Sequence, residues 1–115
     1  MIKVTFIKND DIRSISLSIK GHAGQNEYGK DIVCASASIL AYTLAQNISL
    51  SLICNMSNIE HSIRIAEGDT EISCKARNDH SYKYVLRIYE IILEGYVLLA
   101  NDYPQYVELN QFGQA

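Results

Sequence analysis

The sequence predicts an α+β fold, with a mainly antiparallel sheet of four or five strands and two long helices packed on one face. The element order is ββαββα, with a candidate final β. Two observations carry this reading. Short runs with an apolar residue at every second position occur twice in pairs, the mark of two hairpins with one buried face. Each pair is followed by a long run with apolar residues three and four apart, which is the period of a helix. Laying both helices on one face of the sheet is the simplest way to bury every apolar stripe.

The first strand rests on Ile2, Val4 and Phe6, which alternate with Lys3 and Thr5. Asn9-Asp10-Asp11 supplies turn chemistry. Ile15, Leu17 and Ile19 then alternate with Ser14, Ser16, Ser18 and Lys20. From Asp31 the period changes, and Val33, Ala37, Leu40, Leu44 and Ile48 trace a helical stripe. This helix is expected to run through Leu52, although Ile48 to Cys54 is equally compatible with a short strand. Ile59, His61, Ile63 and Ile65 begin the second hairpin, Glu67-Gly68-Asp69 turns it, and Thr70, Ile72, Cys74 and Ala76 return. Asn78-Asp79 offers a cap for the second helix, whose stripe is Val85, Ile88 or Tyr89, Ile92, Tyr96 and Leu99. Asp102-Tyr103-Pro104 closes it, and Tyr106-Val107-Glu108-Leu109 is the candidate last edge strand.

Composition narrows the function. The chain has 115 residues, 48% of them hydrophobic and 20% charged. That length suits a single domain over residues 1–115 with one two-layer core. A net charge of −3 argues against direct nucleic-acid binding, which needs clustered Lys and Arg. Uninterrupted apolar runs such as Val97-Leu98-Leu99-Ala100 are too short to span a membrane. The start of the chain passes directly into strand alternation, so a cytoplasmic protein is expected. Cys34, Cys54 and Cys74 form no CxxC pair. Neither a disulfide framework nor a metal site is expected, and no cofactor.

The segment Gly21 to Ser38, GHAGQNEYGKDIVCASAS, stands apart from this packing pattern. His22 follows a strand end, and Cys34 lies in the first turn of the helix that follows. Between them is a polar loop with Gly24 and Gly29 and one aromatic residue, Tyr28. A strand end and the next helix start share one edge of a two-layer domain, so the loop can bring imidazole and thiol together. A helix N-terminus and a nearby imidazolium both favour thiolate over thiol. Free N–H groups at the same place can hold an oxyanion. Nucleophile, base and oxyanion donors are the minimal set for acyl transfer by a thiol. Asp31 and Ser38, at i−3 and i+4 from Cys34, share its helical face and are candidates to orient His22 or meet substrate. The plainer reading makes Cys34 a small core residue, as Cys54 and Cys74 are expected to be.

The motif Gly21-His22-Ala23, a glycine-containing loop, and Asp31-Ile32-Val33-Cys34-Ala35 with Ser38 resembles the ribosomal-processing cysteine protease family, Prp. Ser36 departs from the Ala or Gly that many members carry there, while remaining small. The resemblance extends in element order over essentially the whole chain. It implies a peptidase with a Cys34 nucleophile and a His22 base, which removes a short N-terminal extension from a large-subunit ribosomal protein. It also implies a homodimer, a substrate peptide that is apolar with aromatic residues near the cut, and no cofactor. On that reading Gly21, Asp31 and Ser38 support the dyad. The polar, glycine-containing composition of the loop itself has two readings: Gly24, Tyr28 and Gly29 form a mobile loop closing over substrate, or the segment is an ordinary connection whose glycines only allow a turn. The alternatives are a non-catalytic ribosome-associated adaptor that binds the same peptide, and a redox sensor acting through Cys34.

Overall fold

The computed structural model describes residues 1–22, 30–53 and 58–114. Two hairpins are built from β1 (Ile2–Asn9) with β2 (Ser14–Lys20) and from β3 (Ile59–Ala66) with β4 (Asp69–Ala76). Helix α1 (Lys30–Ile53) follows the first hairpin and α2 (Asp79–Asp102) the second, with β5 (Val107–Gln114) last. The sheet order is β3-β4-β2-β1-β5. β1, β2, β4 and β3 pair antiparallel, with Val4 opposite Ile19 and Leu17 opposite Ile72. β5 lies parallel to β1, with Val4 opposite Leu109. The sheet is therefore mixed. Its fifth strand runs on to Gln114, beyond the four residues that alternation alone suggests.

One face of the sheet is covered. Val4, Phe6, Ile15, Leu17 and Ile72 pack beneath Val33, Ala37, Leu44 and Ile48 of α1 and Val85, Tyr89, Ile92 and Tyr96 of α2. Ile48 is 2% exposed and stands one turn beyond Leu44 on the same stripe. That burial resolves the choice between helix and strand for 48–53 in favour of the helix. The window Ile32–Leu50 is also long and apolar enough to cross a membrane by length and composition. A search for unbroken apolar runs misses it, because serines, Thr43, Gln46 and Asn47 interrupt the pattern. Here the helix lies on the sheet with one side in the core.

The two helices approach closely at Gly95, where an added Cβ would sit 2.6 Å from Leu40 Cδ2. Beside it the buried Tyr96 hydroxyl donates to the Ala37 carbonyl at 2.8 Å, tying α2 to α1. Tyr89 reaches the sheet instead, donating to the Ile72 carbonyl at 2.9 Å. Burial raises both phenols above the ordinary tyrosine value, so each stays a neutral donor. Asn78 caps α2 as expected, its side chain accepting from Ser81 N–H at 2.8 Å.

Tyr96→Phe deletes the bond between the helices and keeps the packing, so it should cost about 0.5–1.5 kcal/mol. Tyr96→Ala should cost about 3–5 kcal/mol through the cavity it leaves. Chemical denaturation of both variants checks this, and a Tyr96→Phe protein as stable as the wild type would show that the bond adds nothing.

Candidate active site

The site forms where β2 ends. Gly21 takes φ +92°, a left-handed conformation that L side chains rarely adopt, and a Cβ there would meet the Met1 carbonyl oxygen at 2.5 Å. Its N–H donates to the Gly68 carbonyl at 3.0 Å. The Met1 amino group donates to the His22 carbonyl at 2.6 Å. His22 is exposed, and the backbone is held at the Gly21 N–H and at the His22 carbonyl.

The β3–β4 turn is held in the same place. Lys20 stands opposite Asp69 in the β2–β4 register, and its ammonium bonds that carboxylate. Arg64 Nη2 donates to the same Asp69 oxygen at 3.0 Å and lies 3.5 Å from Glu71. Hydrogen bonds from Lys20 and then Arg64 hold the Asp69 carboxyl below its ordinary range. Gly68, at φ +72°, sits at the bend.

Cys34 comes from the other layer. It is half-buried and packs against the core beside the fully buried Val33. The expectation that it occupies the first turn is corrected: α1 begins at Lys30, so Cys34 is its fifth residue. The unpaired N–H groups of a helix are its first four, so those groups here belong to the turn before the thiol.

Between these elements lies a cleft of about 350 Å³. His22, Gly21, Glu67 and Gly68 form one side, and Cys34, Ser38 and Tyr42 form the other. Ile2, Ile19, Ala37, Ala41, Ile65, Ala66, Asp69 and Thr70 complete its lining, so a mostly apolar interior meets a polar rim. That combination suits capture of an apolar group with a few polar contacts to orient it.

The structure thus brings His22, Cys34, Ser38 and Gly21 to one cleft. The backbone of Asp31 lies one turn before Cys34 in α1, and its side chain falls outside the description. Gly24, Tyr28 and Gly29, with the closing loop expected of them, lie outside the described residues, as does Cys54. Cys74 is in the core at 4% exposure, where burial pushes its thiol up to about 11 and the Tyr89 hydroxyl meets its sulfur at 3.6 Å. His61 keeps the core-facing register but is exposed on edge strand β3, bordering a separate groove with Ser62 and Ser73. His80 is exposed at the start of α2. Sequence reasoning missed the contribution of Glu67, Gly68 and Asp69, which read only as a turn. The signal that finds them is strand order, since pairing β2 with β4 sets that turn beside Gly21.

Cys34 and His22 thus line one open, largely apolar cleft. The family model described as cysteine protease Prp matches residues 1–108, and the chain belongs to that family. It is a cysteine protease.

The structure of SMU.848 from Streptococcus mutans is 28% identical, with a TM-score of 0.69 over 99% of this chain and 96% of that one. The essential ribosomal processing protease Prp from S. aureus, in complex with a covalently linked product peptide, is 25% identical, with a TM-score of 0.68 over 96% and 99% of the two chains. The same S. aureus protein with a substrate peptide superposes with a TM-score of 0.71 at 24% identity, over the same shares. No curated protein sequence matches the chain.

Exposure and burial predict how the thiols label. At neutral pH iodoacetamide should react rapidly with Cys34, and Cys34→Ser should abolish the fast phase while Cys74→Ser leaves it intact. Peptide mapping after brief labelling checks the order, and fast modification of Cys74 would contradict its burial.

Proposed function

We propose that this chain removes a short N-terminal extension from a large-subunit ribosomal protein in the cytoplasm, using Cys34 as nucleophile and His22 as base. The observation that carries the reading is that these two residues line one cleft in a member of the Prp family. The covalently linked product peptide of the S. aureus relative supports a covalent route.

His22 takes the proton from the Cys34 sulfur, and the thiolate attacks the scissile carbonyl. Backbone N–H groups around the start of α1 stabilise the oxyanion. His22 then gives its proton to the leaving amine, which departs and leaves a thioester on Cys34. Water, deprotonated by His22, attacks the thioester carbonyl, releasing the carboxylate product and the free thiol. Asp31 is the candidate orienting group for this cycle, and Ser38 a candidate contact to the peptide from the cleft rim. The apolar lining around Ile19, Ala41 and Ile65 suits an apolar or aromatic substrate side chain near the cut.

We further propose a homodimer formed through the outer side of the helix layer. Tyr84, Ile91 and Leu98 are exposed at seven-residue spacing along α2, and Ile32, Ile39 and Leu50 are exposed on α1. Lys83 and Arg87 precede Glu90 and Glu94 on the exposed side of α2. Antiparallel packing about a two-fold axis would set the basic half of one copy against the acidic half of the other.

Intact mass spectrometry of the ribosomal protein numbered twenty-seven, carrying its extension, tests the reaction. The wild-type enzyme should yield one shortened product and Cys34→Ala none, while a folded His22→Ala should lose about 10²–10⁴-fold in rate. An uncut but tightly bound peptide with the wild-type chain would indicate an adaptor. For the dimer, Ile91→Glu combined with Leu98→Glu should convert the species seen by light scattering from two chains to one. A wild-type monomer would refute the proposed interface.

A further inference from the structure

His22 is an exposed side chain with two free torsions, so its usefulness as a base depends on what limits its rotation. The surface it rests on is Gly68. A Cβ added to Gly68 would lie 2.5 Å from His22 Nε2, 2.6 Å from Cε1 and 3.3 Å from Cδ2. The first two separations are well inside van der Waals contact, so the imidazole edge occupies the space that any side chain at 68 would take. The turn is tied to its neighbours beside that space. Gly21 N–H holds the Gly68 carbonyl at 3.0 Å, and Lys20 and Arg64 hold the adjoining Asp69.

We infer that Gly68 is a positioning residue for His22: the bare backbone of the β3–β4 turn is the seat against which the imidazole is held at the cleft wall. Glycine is required there for two separable reasons. Its φ of +72° is strained for most L residues, and its missing side chain admits the ring. Asparagine separates them, because it tolerates left-handed backbone while still carrying a Cβ. The inference rests on the reading of His22 as the base.

The test uses the full-length chain with Gly68→Asn, and with Gly68→Ala as a smaller second variant. Folding is read by thermal unfolding, and the His22 ring is followed by its NMR resonances. Turnover is measured on a synthetic peptide of the N-terminal extension. Gly68→Asn should fold, shift the His22 ring resonances, and lower kcat by about 10–100-fold with KM within about twofold of wild type. Placed on His22→Ala, it should change the residual rate by less than about twofold, because two residues acting as one unit are not additive. Unmoved His22 resonances in a folded Gly68→Asn or Gly68→Ala protein overturn the inference. So does an equal loss in the His22→Ala background, which would mean that the turn acts through the fold. A displaced ring with unchanged turnover refutes His22 as base, and the catalytic role of its seat with it.

Discussion

The pairing of the β2 end with the β3–β4 turn is the constraint on which the cleft depends. Lys20 opposite Asp69, and Gly21 N–H bonded to the Gly68 carbonyl, join segments far apart in the chain at one corner of the sheet. A slip of one residue in the β2–β4 ladder would turn Ile15, Leu17 and Ile19 away from the helices. The burial of Leu17 and Ile72 opposite each other opposes that slip strongly. The hydrophobic core thus sets the register, and the register delivers Gly68 to His22. Ion pairs alone would not suffice, since the groups around Asp69 are solvent-exposed and such pairs contribute little each.

The thiol depends on the opposite layer. Cys34 is three residues before Ala37, whose carbonyl accepts the Tyr96 hydroxyl in the core. Leu40, three residues further on, packs where Gly95 lets the helices meet closely. Sliding α1 along α2 by even part of a turn would break both contacts. Cys34 therefore stands on a rigid element, whereas His22 stands at a strand end braced by a turn. The dyad proposed for this chain, divided in this way, needs both helix packing and strand register to be correct before its two side chains line one cleft. Rigid support of this kind is what holds catalytic groups within the narrow tolerance that their chemistry demands.

Much of this was legible in the residues. Period-two alternation located both hairpins, and the stripe from Val85 to Leu99 located α2 with its Asn78 cap. The pair His22 and Cys34 stood out because a polar, glycine-containing loop interrupts two packing elements. Other features had no local signature. The parallel pairing of β5 with β1 follows from where α2 delivers the chain, which no run of residues encodes. Helix α1 shows weak periodicity because Ile32, Ile39 and Leu50 place apolar side chains on its solvent side as well. Gly68 reads as an ordinary turn glycine until strand order sets it against His22.

Cys34 and Cys74 show that environment, and not spacing, sorts the thiols among the described residues. Both follow an apolar neighbour by one or two positions, and both touch the core. Cys74 points from β4 under α2, where burial drives its thiol up to about 11 and keeps it protonated at neutral pH. The contact with the Tyr89 hydroxyl opposes that shift but is outweighed by the loss of solvent. Cys34 is carried on the rim of the same core, where it retains an apolar backing and gains an open side toward the cleft. Nucleophilic attack requires the anion and a path to the carbonyl. Burial withholds both from Cys74, so the core holds that thiol as a packing group and not as a nucleophile.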